Sequence, residues 1–262
     1  MRAKKSLGQH FLTARSVVNE IVRAGTISED DTVLEIGPGR GILTEALLNT
    51  GVAVIAVEKD AGLASTLQDK FSTQIRSGKL KLILGDILNL DLSHHNLKTK
   101  GYKLIANIPY YITGEIFRKF IGGKNKPSRA VLLVQREVAD RILARNGKES
   151  ILSISVKAYG YPKIIKRVSA KAFTPPPKVD SAVLLIENIQ QNFPSDGEEG
   201  HFFEILRAGF AHKRKRLAKN LSNSFVDDQA GQIMSLCGIS KNARAEDLTL
   251  GHWRCLANSI SI

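Results

Sequence analysis

The 262-residue chain has only two cysteines, Cys237 and Cys255. Two cysteines cannot build a disulfide framework or a complete metal site, so we expect a reduced cytoplasmic setting and no metal. The longest apolar run, Val52–Val57, is far shorter than the ~20 residues of a membrane-spanning helix. The N-terminal residues are charged and lack an apolar segment, so we expect no signal peptide. These shortages argue against disulfide-rich secreted proteins and helical membrane proteins.

Acidic residues are scarce relative to basic ones. Lys and Arg number 38 and Asp and Glu 25, a net charge of +13. Residues 1–187 carry 29 cations and 17 anions, whereas residues 188–262 carry 9 and 8. A surplus of this size is typical of proteins that bind a polyanion, most often nucleic acid, although a basic protein can also be merely soluble.

Residues 1–187 alternate short apolar runs with helical patterns. Runs rich in Val and Ile predict seven strands, at Thr32–Gly37, Ala53–Glu58, Leu80–Leu84, Lys103–Ala106, Ala130–Val134, Lys163–Val168 and Ala182–Glu187. Helices are predicted at 16–24, 43–50, 62–72, 114–120, 137–145 and 151–158. Such alternation is typical of an α/β domain with a mostly parallel sheet.

The pattern changes after residue 187. Residues 188–200 are polar and contain Pro and Gly, as a linker would. Beyond them only helices are predicted, including 229–236, 250–259 and an apolar stripe formed by Phe203, Leu206, Phe210, Leu217 and Leu221. We therefore expect two domains, 1–187 and a small all-α domain at 188–262.

A glycine loop, Gly37-Pro38-Gly39-Arg40-Gly41, follows the first strand and opens a helix. Glycines there let the backbone approach a ligand closely, although a purely structural turn would look the same. The spacing is GxGxG instead of the GxGxxG of dinucleotide sites, and no P-loop lysine follows. Glu35, just before the loop, could order it or hold a cationic ligand, but would repel a pyrophosphate. These features favour S-adenosylmethionine over a dinucleotide.

Two further carboxylates follow predicted strands. Glu58 ends the second strand, where a carboxylate can accept hydrogen bonds from both hydroxyls of a ribose. Asp86 follows the third strand and could accept a hydrogen bond from an adenine amino group, although aspartate is also common in caps and turns. The carboxyl ends of parallel strands share one edge of a sheet, so we expect both side chains at one ligand site.

The tetrapeptide Asn107-Ile108-Pro109-Tyr110 follows the fourth strand. The exocyclic amine of adenine is a poor nucleophile because its lone pair is delocalised into the ring. An Asn side-chain oxygen and the backbone carbonyl before a proline can accept its two N–H bonds and favour a localised lone pair. A following aromatic ring can stack on the base. A strand-ending turn rich in Asn and Pro is the alternative interpretation.

Taken together, these motifs resemble those of the ribosomal RNA adenine dimethyltransferases. The resemblance covers nearly the whole chain and is also carried by Ser6–Leu12 (SLGQHFL), Val134–Arg141 (VQREVADR) and Phe173–Ser181 (FTPPPKVDS). Phe210–Leu221 (FAHKRKRLAKNL) is similar to a segment of the small-subunit branch (KsgA type), with a different order of basic residues. That segment argues against the antibiotic-resistance branch (Erm type), which methylates large-subunit RNA.

The resemblance implies a Rossmann-like class I methyltransferase domain and a helical RNA-recognition domain. It further implies dimethylation at N6 of two adjacent adenosines in the 3′-terminal hairpin of 16S rRNA, a role in small-subunit biogenesis, and a cytoplasmic monomer. The alternatives are an Erm-type enzyme, a non-enzymatic RNA-binding assembly or transcription factor on the same fold, and, more remotely, a NAD-dependent dehydrogenase. The presence of Glu58, Asp86 and Asn107 favours the enzyme.

The resemblance also assigns roles to individual residues near the N-terminus and the glycine loop. His10 and Leu12 are expected to contact the cofactor, with Gln9 nearby. Without the resemblance, Leu12 would be taken as a core residue and His10 as a surface residue. Gly37 and Gly39 are expected to face the methionine part of the cofactor.

Other implied roles concern the target base and the RNA. Asn107 would contact both the cofactor and the target amine. Phe173 would be the second aromatic wall of the base pocket, opposite Tyr110, or else a core residue, and Tyr111 fits the core better than the pocket. The basic stretch Lys213–Lys219 would be a phosphate-contacting or merely solvated helix face.

Two minor features complete the expectations from the sequence. Arg2, Lys4 and Lys5 form a basic arm suited to RNA phosphates. His94 and His95 lack further ligands at metal-site spacing and are expected to be exposed loop residues.

Overall fold

A computed structural model describes residues 9–92, 95, 97, 101–222 and 230–260. Arg2, Lys4, Lys5, His94 and the expected helix start at residue 229 lie outside these ranges. The chain divides into two units, Met1–Ala139 with Gly160–Gln190 and Asp140–Tyr159 with Gln191–Ile262. The second unit therefore includes residues 140–159, which the sequence analysis had placed in the first domain.

The described residues of the first unit form nine strands in two sheets. They are β1 (Phe11–Leu12), β2 (Thr32–Ile36), β3 (Ala53–Glu58), β4 (Leu80–Leu84), β5 (Lys103–Asn107), β6 (Arg129–Gln135), β7 (Tyr161–Val168), β8 (Phe173–Thr174) and β9 (Ser181–Glu187). Seven of them form the main sheet in the order β4-β3-β2-β5-β6-β9-β7. The strands from β4 to β6 in that order are parallel, and β9 runs antiparallel to both β6 and β7. The predicted seven-stranded, mostly parallel sheet is thus confirmed.

The helices of the chain are α1 (Arg15–Gly25), α2 (Ile42–Leu48), α3 (Ala61–Lys70), α4 (Ser72–Arg76), α5 (Thr113–Ile116), α6 (Arg136–Ile142), α7 (Ile151–Tyr159), α8 (Asp196–Gly209), α9 (Leu217–Ser222), α10 (Ala230–Leu236) and α11 (Leu250–Ser259). Local chemistry explains several of their starts. Asp60 begins α3 by accepting hydrogen bonds from the backbone N–H groups of Gly62 and Leu63. Ser195 begins α8 in the same way, through the N–H of Glu198.

A second, two-stranded sheet joins distant parts of the chain. Strand β1 pairs antiparallel with β8, with Phe11 opposite Thr174 and Leu12 opposite Phe173. No strand was predicted at Phe173–Thr174, so this pairing was not expected from the sequence. This pairing fixes residues 9–12 against the rest of the first unit.

The described part of the second unit is helical, and α7 contacts α11 within it. The predicted apolar stripe from Phe203 to Leu221 does not form one helix, because α8 ends at Gly209. A Cβ atom at that position would lie 2.3 Å from the Trp253 ring, and the next residue, Phe210, stacks on that ring at 5.5 Å between centroids. Residues 211–216 form an exposed turn, so most of the basic stretch Lys213–Lys219 is not a helix face.

The structure corrects the expectation that both cysteines are reduced. Cys237 and Cys255 form a disulfide. Cys237 follows α10 and Cys255 lies in α11, and their Cα atoms are 5.7 Å apart, within the range a disulfide can span. The two positions lie far enough apart in sequence that nothing in the pattern indicated this proximity.

Neither a membrane span nor a metal cluster is found among the described residues. No helix there is long and apolar enough to cross a bilayer. No group of three His, Cys, Asp or Glu side chains there is placed to hold a metal ion. His95, expected to be exposed, is half-buried in a short helical turn.

Candidate active site

One cavity lies at the carboxyl ends of β2, β3, β4 and β5. It brings together nearly all the site residues predicted from the sequence: His10, Leu12, Gly37, Gly39, Glu58, Asp86, Asn107, Ile108, Pro109 and Tyr110. Gln9 and Glu35 also line it. Four strand ends and the N-terminal segment therefore converge on one site, as expected for a ligand at this edge of an open α/β sheet.

The glycine loop forms one wall of the cavity by a backbone path that other residues rarely adopt. Gly37 and Gly39 have φ angles of +65° and +59°. A Cβ atom on Gly39 would lie 3.2 Å from the Phe11 ring, which fills the space beside the loop. The Arg40 guanidinium stacks over the same ring, 4.5 Å from its centroid. The loop and the N-terminal segment thus hold each other in place.

Glu58 braces this loop from the end of β3. Its Oε2 accepts a hydrogen bond from the Gly39 N–H at 3.1 Å, and its Oε1 accepts one from the Asp60 N–H at 2.9 Å. The residue is only 5% exposed, and burial raises the pKa of its carboxyl group while the backbone donors oppose that shift. A carboxylate has about four acceptor sites, and the backbone N–H groups of Gly39, Lys59 and Asp60 do not use all of them, so acceptor capacity is left for a ligand hydroxyl.

Glu35 is a buried carboxylate at the base of the cavity. It is 1% exposed, and its Oε2 has no hydrogen-bond partner among the described residues. Burial raises the pKa of Glu35 to about 8, and the negative charge of Glu58 contributes to the increase. An orphaned acceptor at this depth is costly unless a donor or cation satisfies it.

Asp86 lines the opposite part of the cavity beyond β4. Its Oδ1 accepts a hydrogen bond from the Leu88 N–H at 3.0 Å, and its Oδ2 accepts one from Lys59 Nζ at 2.8 Å. The bond from Lys59 is the main reason that the pKa of Asp86 is lowered. The carboxylate is therefore ionised and kept as an acceptor at the cavity edge.

The N-terminal segment 9–12 crosses the cavity. His10 Nδ1 lies 2.8 Å from the carbonyl oxygen of Pro175, and Gln9 Nε2 donates to Asp60 Oδ2 at 3.3 Å. The expectation that Leu12 could be a core residue also holds, because its side chain is buried in the core while the residue borders the cavity. His10 is half-buried instead of being a plain surface residue.

The tetrapeptide lies where β5 meets a short helical turn, Tyr110–Ile112. Asn107 Nδ2 donates to the backbone carbonyl of His10 at 3.4 Å, which orients the amide. The Tyr110 hydroxyl is 2.6 Å from Ser181 Oγ, and its ring is nearly parallel to that of His10, with centroids 6.2 Å apart. Burial raises the pKa of Tyr110, so the phenol stays neutral. These contacts immobilise both side chains.

Two aromatic residues are placed differently from the expectation. Phe173 is 3% exposed and packs in the main core cluster, and it is not among the residues that line the cavity. Tyr111, expected in the core, is 56% exposed at the cavity edge. The pairing of β8 with β1 explains the first difference, because it turns Phe173 towards Leu12 and the core.

The sequence analysis missed several residues that support the site. Lys59 holds Asp86, Asp60 holds both Glu58 and Gln9, and Ser181 holds Tyr110. Ser181 is the last residue of the motif Phe173–Ser181, which was the only signal that could have drawn attention to it. The other two adjoin Glu58 in sequence and could have been inferred from that position.

The hydrogen-bond acceptors that line the cavity fit S-adenosylmethionine. The orphaned Glu35 Oε2 suits a cationic ligand, and Glu58 has acceptor capacity left for a ligand hydroxyl. Asp86 adds a third carboxylate at the far end. Glu58 beside the glycine loop and the ionised Asp86 would disfavour a pyrophosphate, which agrees with the absence of the dinucleotide spacing.

Comparison with known proteins identifies the family of the chain. The family model "Ribosomal RNA adenine dimethylase" matches residues 1–261. A ribosomal RNA small subunit methyltransferase A from Dehalococcoides mccartyi is 38% identical to this chain over 98% of its length and 88% of the relative. A dimethyladenosine transferase from Plasmodium falciparum superposes with a TM-score of 0.78 at 26% identity, covering 94% of this chain and 96% of the other.

A further solved structure shows how widely the fold is shared. The 23S rRNA methyltransferase ErmE superposes with the same TM-score of 0.78, covering 95% of this chain and 99% of the other, at 21% identity. That likeness concerns the fold alone. From the full-length family match and the 38% identical relative, the chain belongs to the ribosomal RNA adenine dimethylase family: it is a ribosomal RNA methyltransferase with a Rossmann-like class I fold, and S-adenosylmethionine is its methyl donor.

Proposed function

We propose that this chain dimethylates N6 of two adjacent adenosines in the 3′-terminal hairpin of small-subunit ribosomal RNA. The observation that carries the proposal is the convergence of Glu58, Asp86, Asn107 and Tyr110 on one cavity in a member of this family. The printed name of the Dehalococcoides relative, a small-subunit methyltransferase, supports the choice of subunit.

Three acidic residues would hold the methyl donor. Glu58 would accept hydrogen bonds from the ribose hydroxyls while keeping its bonds to the glycine loop. Asp86 would accept a hydrogen bond from the adenine amine, and Glu35 would offer its orphaned oxygen to the cationic end. When bound, S-adenosylmethionine supplies an electrophilic methyl group on a sulfonium sulfur, and the rest of the molecule leaves as a neutral thioether.

Asn107 and Ile108 would prepare the target amine. The Asn107 amide nitrogen is held by the His10 carbonyl, so the side-chain oxygen remains to accept one N–H of the amine. The Ile108 carbonyl, restrained by Pro109, would accept the other N–H. Two fixed acceptors favour a pyramidal nitrogen whose lone pair is available for attack. The positive charge of the sulfonium passes to the amine nitrogen as the new N–C bond forms and the S–C bond breaks, and that nitrogen then releases a proton to water. No strong general base is therefore needed before attack.

Tyr110 would stack on the target base. Its hydroxyl contact with Ser181 fixes the plane of the ring, so a base that meets this face is oriented without a large loss of side-chain entropy. Phe173 remains a prediction as the opposite wall. It would have to leave the core cluster to reach the base.

The second unit would bind RNA through its exposed basic turn. Lys213, Arg214, Lys215 and Arg216 are all exposed between α8 and α9. Asn220, only 1% exposed, anchors the turn, because its Nδ2 donates to the carbonyls of Gly209 and His212 at 2.6 and 3.2 Å. A preorganised cluster of cations suits phosphates, which position a protein on RNA without reading its sequence.

The proposal includes the cellular setting expected from the sequence. The chain would act as a cytoplasmic monomer on the small ribosomal subunit during its biogenesis, and it would need no metal. Loss of a neutral thioether does not call for a metal ion. The disulfide is the one observation that favours a more oxidising setting.

Methyl transfer to purified ribosomal subunits tests this function. Wild-type protein and Asn107→Ala would each be incubated with labelled S-adenosylmethionine and with undermethylated small or large subunits. We expect label in the small subunit only, and little label with the variant. Label confined to the large subunit would favour an Erm-type activity. Tight particle binding without transfer would favour a non-enzymatic assembly factor.

A further inference from the structure

Lys119 makes an unusual set of contacts next to the cavity. Its Nζ donates hydrogen bonds to the backbone carbonyls of Ile87, Leu88 and Leu90 at 2.8, 3.0 and 2.7 Å. A lysine ammonium has three donors, so all of them are used on one short segment. The side chain is half-buried, and burial lowers its pKa while the carboxylates of Asp86 and Asp91 oppose that shift. Lys119 does not line the cavity.

The segment that Lys119 holds is the turn formed by residues 86–90, here called the adenine-side turn. The Asp86 side chain accepts the Leu88 N–H, and its backbone carbonyl accepts the N–H groups of Asn89 and Leu90, both at 3.0 Å. The N–H groups of the turn are thus directed to Asp86, and three of its carbonyls are directed to Lys119. Asp86 and Lys119 act at opposite ends of one small turn, as the two caps of a helix do.

The position of Lys119 depends on a local irregularity that continues from the tetrapeptide. Helix α5 passes into a π-helical turn, Phe117–Ile121. Phe117, Phe120 and Ile121 are all buried there, and Lys119 is left on the side of the adenine-side turn. A continuous path therefore runs from the target-amine residues through α5 to the residues beside Asp86.

We propose that Lys119 is a positioning residue for the adenine of S-adenosylmethionine. By holding three carbonyls of the adenine-side turn, it fixes the Asp86 carboxylate where it can accept a hydrogen bond from the adenine amine. Without the ammonium, these three carbonyls would have to accept hydrogen bonds from water, and the turn would become less ordered. The inference rests on the proposed function, in which Asp86 recognises that amine.

Two matched substitutions separate this role from the general effect of losing a lysine. Lys119→Met removes all three donors and keeps most of the apolar stem. Lys79→Met is the control, because Lys79 Nζ donates to the Gly51 carbonyl at 2.8 Å but lies outside the cavity lining. Lys119→Arg keeps charge and donors in a planar arrangement and should rescue only part of the effect.

The assay is calorimetric titration of each full-length protein with S-adenosylhomocysteine and with its inosine analogue, which lacks the adenine amine. Thermal unfolding would show that each variant is folded. We expect Lys119→Met to weaken S-adenosylhomocysteine binding roughly tenfold or more. The analogue should lose much less, so the preference for adenine shrinks. Lys79→Met should match the wild type for both ligands.

The other outcomes are equally decisive. Unchanged affinity of Lys119→Met for S-adenosylhomocysteine would overturn the inference, and so would equal weakening of both ligands, which indicates a general structural role. A wild type that binds both ligands equally would overturn the assignment of Asp86 on which the inference depends. Failure of the proposed function would appear separately, as absence of methyl transfer to ribosomal subunits by the wild type.

Discussion

Replacing Glu58 perturbs the part of the site where the structure allows the clearest estimate. In Glu58→Ala, two ribose hydroxyls lose their acceptor, and water that enters the vacated space can pair with one of them. The net cost is then roughly that of one hydrogen bond to a charged group, about 1.5–3 kcal/mol. The dissociation constant of S-adenosylhomocysteine should rise about 10- to 150-fold. The backbone N–H groups of Gly39 and Asp60 also lose their acceptor, so the glycine loop should become less ordered.

Calorimetric titration measures this effect, and two comparisons make it specific. Glu45→Ala removes an exposed glutamate that pairs with Lys70 away from the cavity, so its affinity should equal that of the wild type. A cofactor analogue without ribose hydroxyls should lose much less affinity in Glu58→Ala, because only the looser glycine loop affects its binding. A folded Glu58→Ala protein with wild-type affinity for S-adenosylhomocysteine would refute the reasoning, because the ribose would then be held by other groups.

Four further predictions concern catalysis, stability and RNA binding. Asn107→Ala should lower the methyl-transfer rate about a hundredfold, or about 3 kcal/mol, with little change in cofactor affinity; near-normal turnover would remove Asn107 from the mechanism. Burial raises the pKa of Glu35 to about 8 in the native state, whereas the unfolded state has the ordinary pKa of 4.5. Between these two pH values the native state keeps a proton that the unfolded state has released. The wild type should therefore lose stability relative to Glu35→Gln as the pH rises across this window, and a constant difference in unfolding free energy would contradict it. Asn220→Ala should cost roughly 1–3 kcal/mol in urea unfolding, because two carbonyls lose their donor; unchanged stability would mean that the basic turn is held by other contacts. Charge reversal at residues 213–216 should weaken binding to small subunits and flatten its salt dependence without changing cofactor affinity, whereas an unaltered salt slope would leave recognition to the first unit.

The main sheet could be predicted from the sequence because buried parallel strands are continuous apolar runs. The strand at Ala53–Glu58 was predicted with its observed bounds, and the carboxyl ends of the strands then located Glu58, Asp86 and Asn107. This inference needs only the order of elements and the geometry of parallel sheets. It works for residues at or just beyond the carboxyl end of a parallel strand.

Contacts between distant segments could not be predicted in this way. Strand β8 has only two residues, and it pairs with β1, which lies near the other end of the first unit in sequence. This pairing places Phe173 in the core, whereas its motif had suggested the base pocket. Helix α8 ends at Gly209, where the Trp253 ring leaves no room for a side chain. The helical spacing of apolar residues in the sequence does not indicate such a contact. The three carbonyls on Lys119 likewise depend on a π-helical turn and on the fold of residues 86–90.

Mapping the nucleotides modified in small-subunit RNA shows whether the protein dimethylates the two proposed adenosines. Undermethylated small subunits would be incubated with the protein and S-adenosylmethionine, and the RNA analysed by mass spectrometry of nuclease fragments. We expect N6,N6-dimethyladenosine at two adjacent positions of the 3′-terminal hairpin with the wild type, and neither modification with Asn107→Ala. Methylation at other nucleotides, or no methylation by a protein that binds S-adenosylhomocysteine, would contradict the proposed function.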